Sequence, residues 1–233
     1  MASLSQLTFR SPLFLRLYEK RIHGRFLSTF AKEPMNYTTL FDDLQRMGRA
    51  EPAPQEPARV LDLGCGTGWY ARHLAGLDRY RRARITGVDL SQWAVEVART
   101  NAARLPGPHA GLDFRTGDVQ ALGPELTGPV DEIWLCGCLH QMSDPRAALG
   151  EVARLLGPDG RVFCQTFCRN PRIRSDVDIA VMRRAGHQVF ERDQLVGLVG
   201  SAGLRVLAEE LRGIVQLLVM APGRQPRRGA RSG

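Results

Sequence analysis

The chain has 233 residues, of which 43% are hydrophobic and 24% are charged. These values are ordinary for a globular protein with a full apolar core, so they exclude the disordered, fibrous and disulfide-dense classes. No apolar run reaches the ~18–20 residues that a membrane-spanning helix needs.

The net charge of +8 is concentrated at the two ends of the chain. Residues 1–32 contain six Lys or Arg and one Glu, and residues 222–233 contain four Arg and no acidic residue. The middle of the chain is therefore close to neutral, whereas a domain that tracks a phosphate backbone spreads basic residues over one folded face. We do not expect nucleic acid as a partner, and we predict that residues 222–233 form a disordered basic tail.

Two helices are predicted at the start of the chain, over residues 12–31 and 36–47. We interpret residues 1–50 as an N-terminal helical lid whose aromatic residues either cover an acceptor molecule or pack against the sheet. Residues 1–30 are also Arg-rich and poor in acids, which is typical of a mitochondrial transit peptide. Without such a peptide, the expected location is the cytoplasm. The apolar residues at helical spacing are Leu13, Phe14, Leu17, Tyr18, Ile22, Phe26 and Phe30.

After a Pro-rich linker over residues 51–57, strands and helices alternate, which predicts βαβ units and a largely parallel sheet. Strands are predicted at 59–63, 83–88, 112–115, 131–136, 161–167, 204–209 and 214–220. Helices are predicted from the glycine-rich turn to about 77, from a Ser91 cap to about 104, and over 145–156, 175–186 and 192–202.

A glycine-rich turn follows the first strand in VLDLGCGTGW, residues 60–69. Its glycines, Gly64, Gly66 and Gly68, permit positive φ and close approach of backbone to a ligand. A dinucleotide fingerprint would need glycine where Trp69 stands, and no Gly-Lys-Ser/Thr follows, so neither that fingerprint nor a P-loop is present.

Three carboxylates accompany the glycine turn. Asp89 ends the second strand, where a carboxylate can bind both hydroxyls of a ribose, and Asp118 follows the third strand, within reach of an adenine amino group. Asp62 lies on the first strand beneath the turn. Each aspartate taken alone is equally typical of a helix cap or a turn.

With these residues in order, the sequence resembles the class I S-adenosylmethionine-dependent methyltransferases over about residues 58–168. The matching motifs are VLDLGCGTG, GVDLS, GDV, WLCGCLHQM followed by DP, and LLGPDGRV. The resemblance implies an α/β, Rossmann-like, seven-stranded, mostly parallel sheet with helices on both faces. It also implies an antiparallel hairpin of strands six and seven. The methyltransferase domain is predicted over 51–221, with a substrate-covering helical insert at 169–195.

The resemblance also implies S-adenosylmethionine as cofactor. Gly64 and Gly66 would pass under its methionine part and Asp89 would bind its ribose. Asp118 and the Val119 amide would bind adenine, and the Cys136 carbonyl would meet the cofactor's amino group. The full set of predicted cofactor-binding residues is Asp62, Gly64, Cys65, Gly66, Gly68, Asp89, Leu90, Asp118, Val119 and Cys136.

The implied activity is methyl transfer by in-line displacement to a small-molecule acceptor, in a monomer or homodimer. One alternative is a nucleic-acid or protein methyltransferase, although CLHQM stands where enzymes acting on exocyclic base nitrogens carry Asn/Asp-Pro-Pro-aromatic. Another is a protein of this fold that uses the cofactor without transferring methyl, since fold does not fix reaction.

Three further groups have two interpretations each. His140 is the candidate general base, or else it packs in the pocket wall or a loop.

The cysteines Cys65, Cys136, Cys138, Cys164 and Cys168 contain no CxxC pair, so we expect buried free thiols rather than a soft-metal site. The arginines Arg172, Arg174, Arg183 and Arg184 either pair with an acidic substrate group or form a solvated face.

Overall fold

The computed structural model describes residues 17–49, 56–106 and 111–223. Residues 1–16, most of the predicted linker and the predicted tail from residue 224 onward lie outside the described residues. The transit-peptide interpretation and the disordered tail therefore stay predictions. Within the described ranges, no helix combines the length and apolar character that crossing a membrane demands.

Seven strands form one sheet. They are β1 Arg59–Leu63, β2 Arg84–Asp89, β3 Leu112–Thr116, β4 Val130–Cys136, β5 Leu156–Phe167, β6 Leu204–Arg212 and β7 Val215–Pro222. The order across the sheet is β3-β2-β1-β4-β5-β7-β6. Neighbours among β1 to β5 pair in parallel, and β7 pairs antiparallel with both β5 and β6. The predicted seven-stranded, mostly parallel sheet with an antiparallel edge hairpin is confirmed.

Helices flank the sheet, and the N-terminal ones follow a π-helical turn at Tyr18–Ile22. They are α1 His23–Ala31, α2 Tyr37–Gly48, α3 Trp69–Ala75, α4 Gln92–Ala102, α5 Pro145–Leu155, α6 Asp176–Arg184 and α7 Arg192–Ser201. Local capping explains several starts. The Asn36 side chain caps α2 in a reciprocal box with Thr39, and the Ser91 hydroxyl accepts from the Ala94 amide as predicted.

Strand β4 shows how the sheet separates two apolar layers. Ile133 and Leu135 pack with α5 and α7, whereas Trp134 packs with α2 and α3 on the opposite face. The cause is the two-residue period of a strand, which points alternate side chains to opposite faces. Because both faces are covered by helices, β4 is apolar at consecutive positions rather than alternating.

The largest boundary difference concerns β5, predicted to begin at residue 161 and observed to begin at Leu156. Leu156 pairs with Val130, whereas Arg161 pairs with Glu132, so the strand bulges between them. A Cβ at Gly160 would lie 2.9 Å from the Val130 carbonyl oxygen, so this close approach requires glycine. The helix after the glycine turn also ends at Ala75 rather than near 77, and β6 runs on to Arg212.

Candidate active site

The glycine turn joins β1 to α3 at the carboxyl end of the sheet. Gly64, Gly66 and Gly68 all have positive φ, at 69°, 53° and 77°. The amides of Gly64 and Cys65 both donate to the Val88 carbonyl, at 2.8 and 3.0 Å. The turn is thereby fastened to the end of β2, which brings Asp89 beside it.

The three glycines serve different purposes. A Cβ at Gly64 would collide with the Cys138 side chain, and one at Gly68 would lie 2.6 Å from the Phe114 ring. A Cβ at Gly66 would meet no atom within 4 Å. Gly66 therefore borders open space, whereas Gly68 lets α3 approach β3 closely and lies outside the residues that line the cavity.

Asp89 ends β2 with both carboxylate oxygens fixed by backbone. Oδ2 accepts from the Gly66 amide at 2.8 Å, and Oδ1 accepts from the Ser91 amide at 2.9 Å. Burial raises the pKa of Asp89, and the two amide hydrogen bonds partly offset this. The carboxylate is oriented before any ligand arrives.

Asp62 has a different position from the other two aspartates. It is almost fully buried, and its Oδ2 accepts from the Ala71 amide at 3.1 Å in the first turn of α3. Burial raises its pKa to about 7. Asp62 lies outside the cavity lining and supports the start of α3 from beneath, as its place on the first strand suggested.

Asp118 precedes a short 3₁₀ turn over Val119–Ala121 and accepts from the Gln120 amide at 2.9 Å. Asp118, Val119 and Gln120 all border the same cavity as Asp89. The Gln120 side-chain oxygen accepts from the Ser143 hydroxyl and the Asp144 amide, which ties this wall to the start of α5. Strands β2 and β3 therefore deliver two carboxylates to one cavity.

A cavity of about 580 Å³ lies where these segments meet. Its volume is within the range of small-molecule sites. Leu90 and Trp93 border it with apolar side chains that are 61% and 42% exposed. The lining residues are His23, Tyr37, Gly64, Cys65, Gly66, Trp69, Tyr70, Asp89, Leu90, Ser91, Gln92, Trp93, Asp118, Val119, Gln120, Cys136, Gly137, Cys138, Gln141 and Met142.

One wall of the cavity is aromatic and was not predicted as a set. His23 stacks on Tyr37 with ring centroids 3.5 Å apart, and Tyr37 stacks on Trp69 at 4.9 Å. Burial lowers the pKa of His23 to about 3, so its ring is neutral at pH 7. Tyr37 belongs to the segment 1–50 whose aromatic residues were predicted to cover an acceptor or pack against the sheet, and Trp69 was noted only because it breaks a dinucleotide fingerprint. The helical spacing placed these rings on α1, α2 and α3 but carried no sign that they meet.

His140 lies off the cavity, although its neighbours Gln141 and Met142 border it. The ring is 3% exposed and packs against Phe167 at 4.5 Å and His187 at 5.1 Å between centroids. Burial, with a smaller effect of His187, lowers the pKa of His140 well below its usual value. This position favours the packing interpretation over a general base.

The cysteines are all free thiols. Cys138 lies 3.1 Å from the Leu63 carbonyl oxygen, and Cys65, Cys136 and Cys138 border the cavity. Burial raises the pKa of these three thiols well above the usual value, so they are protonated at pH 7. Among the described residues, no group of three or more His, Cys, Asp or Glu could hold a metal ion.

The four arginines of the predicted insert are exposed and lie outside the cavity lining. Helix α6 lies within that insert and pairs with the N-terminal segment, because Lys32 forms an ion pair with Asp178 at 2.8 Å. The position of Arg172, Arg174, Arg183 and Arg184 favours a solvated face.

Residues 32–209 match the family described as Methyltransferase domain. The chain belongs to this family. The methyltransferase domain contains both carboxylates, the glycine turn and most of the cavity lining, while His23 and the π-helical turn precede the matched range. The predicted family resemblance is confirmed.

A similar relative of the methyltransferase domain is a ubiquinone biosynthesis O-methyltransferase from Xanthomonas oryzae pv. oryzae (strain PXO99A). It is 36% identical over 114 residues, which cover 49% of this chain and 45% of the relative. The chain thus spans about half the length of the curated relatives it matches.

Solved structures show the same fold at low sequence identity. The mitomycin 7-O-methyltransferase superimposes with a TM-score of 0.67 and 20% identity, over 95% of this chain and 61% of that one. The magnesium protoporphyrin IX methyltransferase from Synechocystis PCC 6803, solved with bound SAH, has a TM-score of 0.60 and 16% identity. That match covers 91% of this chain and 99% of the other.

Proposed function

We propose that this chain transfers a methyl group from S-adenosylmethionine to a small, uncharged acceptor molecule. The observation that carries the proposal is the contact between Asp89 and the Gly66 amide at the wall of the 580 Å³ cavity. It places an oriented carboxylate beside the backbone of Gly66, where an added Cβ would meet no atom within 4 Å. Family membership and the relatives named as O-methyltransferases support the same activity.

The residues fit the donor molecule. A carboxylate has about four acceptor positions, so Asp89 keeps two for ribose hydroxyls after its two backbone hydrogen bonds. The open space at Gly66 would accommodate the methionine part, and Asp118 with the Val119 amide would hold the adenine. Leu90 and Trp93 offer exposed apolar surface for the flat face of that base.

S-adenosylmethionine, when bound, supplies an electrophilic methyl group on a positively charged sulfur. The chain's own part is to hold acceptor and donor in line and to exclude water. His23, Tyr37, Trp69 and Tyr70 supply a largely apolar wall for this purpose. Because His140 lies off the cavity and the His23 ring is weakly basic, we assign the rate to positioning rather than to a general base.

The charges of the cavity support an uncharged acceptor. Asp89 and Asp118 are its acidic groups, and no Lys or Arg occurs among the described lining residues. A carboxylate or phosphate on the acceptor would lose its water without gaining a Lys or Arg partner from the cavity wall. The same absence of lining cations disfavours nucleic acid, whose backbone needs Lys and Arg.

The test is transfer of a labelled methyl group to matched acceptor pairs, each an aromatic hydroxy ester and the corresponding free carboxylate. The proposal predicts that the ester member accepts label faster than its acid. Faster transfer to the acids would contradict the uncharged class. Saturable donor binding with no transfer to any small molecule would favour cofactor use without methyl transfer.

A further inference from the structure

The π-helical turn before α1 contacts the glycine turn through one side chain. The Glu19 carboxylate accepts from the Thr67 hydroxyl within the glycine turn and from Arg72 Nη2 on α3, the latter at 2.7 and 2.8 Å. Glu19 and Arg72 are only 16% and 15% exposed. A charge pair shielded to this extent is screened less than a surface pair.

The other end of this segment is anchored in the core. Leu27, Phe30 and Ala31 are buried, and the Phe30 carbonyl accepts from the Ile214 amide of the β6–β7 turn at 2.9 Å. Phe26 and Phe30 both pack against the Phe167 ring at 6.0 Å. Toward the start of the segment, Leu17 is 45% exposed and Arg21 is also exposed.

The same segment forms part of the cavity wall. His23, one helical turn after Glu19, lines the cavity and stacks on Tyr37. Moving residues 17–23 outward would therefore remove part of the wall and break the Glu19 contacts in one step. This segment lies before residue 32, where the family match begins.

We propose that Glu19 is a latch that holds residues 17–23 closed over the glycine turn and thereby sets how fast S-adenosylmethionine and its demethylated product enter and leave. Glu19 is a positioning residue, acting through Thr67 and Arg72. The ligand named here rests on the proposed function. The segment opens at its Leu17 end, where Leu17 and Arg21 are exposed, while Phe30 and Ala31 stay in place.

The first test needs no ligand. Hydrogen exchange of the amides of residues 17–26 is compared between wild type, Glu19→Ala and the matched control Glu33→Ala. Glu33 also pairs with an arginine, Arg212 at 3.1 Å, but away from the glycine turn. The latch predicts that Glu19→Ala raises exchange about tenfold or more, as expected for losing a hydrogen-bonded charge, and that Glu33→Ala does not. Equal exchange in all three proteins overturns the latch.

The second test measures rates by stopped-flow tryptophan fluorescence, with S-adenosylhomocysteine as the probe. The latch predicts that Glu19→Ala speeds both association and dissociation about tenfold with a smaller change in Kd. Arg72→Ala should shift both rates in the same direction. The double variant should add little to Glu19→Ala, because Glu19→Ala already removes the Arg72 contact together with the Thr67 contact. Additive effects, or a raised Kd with an unchanged association rate, overturn it.

Glu19→Gln provides a second variant that keeps the size of the side chain and an acceptor oxygen. Its association and dissociation rates should lie between those of wild type and Glu19→Ala. If thermal melting shows that Glu19→Ala does not fold, Glu19→Gln replaces it in both tests. If wild type shows no saturable binding of S-adenosylhomocysteine by calorimetry, the proposed function fails and the ligand-gating role fails with it. The exchange experiment still decides separately whether Glu19 holds the segment closed.

Discussion

The Asp89 carboxylate accepts a hydrogen bond from the Gly66 amide at 2.8 Å across the gap between two neighbouring parallel strands. Because Gly66 follows β1 and Asp89 ends β2, this contact fixes the glycine turn against the sheet. It also leaves the carboxylate facing a cavity with free acceptor positions. Ligands of open α/β sheets bind at this edge, outside the carboxyl ends of the strands.

Replacing Asp89 by Asn should weaken binding of S-adenosylhomocysteine about 100-fold, because it removes a charged acceptor of ribose hydroxyls. The measurement is calorimetric titration. Asp113→Asn is the control, since Asp113 is an exposed carboxylate on β3 whose partner is Arg115. An unchanged affinity for Asp89→Asn would mean that the ribose site lies elsewhere.

Two glycine substitutions should have different effects although both positions have positive φ. An alanine at either position costs about 1–2 kcal/mol of backbone strain. Gly68→Ala also forces its methyl group onto the Phe114 ring, at a further cost of about 1–3 kcal/mol, so it should lower the melting temperature more. Gly66→Ala has room for its methyl group but places it where the ligand passes, so it should lose more affinity. Thermal melting and titration together check this, and the reverse ranking would contradict it.

His140→Leu should flatten the pH dependence of stability below pH 6.5. Burial keeps the folded pKa of His140 far below 6.5, so the unfolded chain binds the extra proton and stability falls as pH falls through 6.5. Comparing urea unfolding at pH 7.5 and 5.5, the variant should lose about 1 kcal/mol less than wild type. The pH profile of turnover should keep its shape. Loss of one limb of that profile would instead identify His140 as a base.

Asp62→Asn should stabilise the protein at neutral and higher pH. The folded pKa of Asp62 is about 7 against 3.8 for an unperturbed side chain, so the folded state binds the extra proton and wild-type stability falls as pH rises between these values. Asparagine keeps an oxygen for the Ala71 amide without a charge to bury. Its advantage should grow to at least about 1 kcal/mol by pH 7 and then level off. An advantage that shrinks as pH rises would contradict this assignment.

Most of the fold could be predicted because local patterns define it. Runs of apolar residues bounded by glycine turns indicate buried parallel strands, and all seven strands were placed to within about five residues at each end. The bulge near Leu156 was missed because the pattern predicted a turn between a helix ending at 156 and a strand beginning at 161, whereas in the structure α5 and β5 follow each other without a break. A register shift depends on pairing with Val130 and leaves no local signal.

Residues of the candidate site could be predicted from the sequence only where they lie at or just after the end of a strand. Asp89, Asp118 and Gly66 border the cavity because the topology delivers strand ends to one edge. Gly68 and His140 share their motifs with lining residues, yet helix packing and burial direct them elsewhere. Glu19 was missed because its partners, Thr67 and Arg72, lie about fifty residues further along the chain.

Calorimetric titration with S-adenosylmethionine and, separately, with S-adenosylhomocysteine tests the central claim most directly. The account predicts saturable binding of both at one site, with micromolar affinity, and loss of both in Asp89→Asn. Absence of binding by folded wild-type protein would contradict the assignment of the cavity, and with it the proposed methyl transfer.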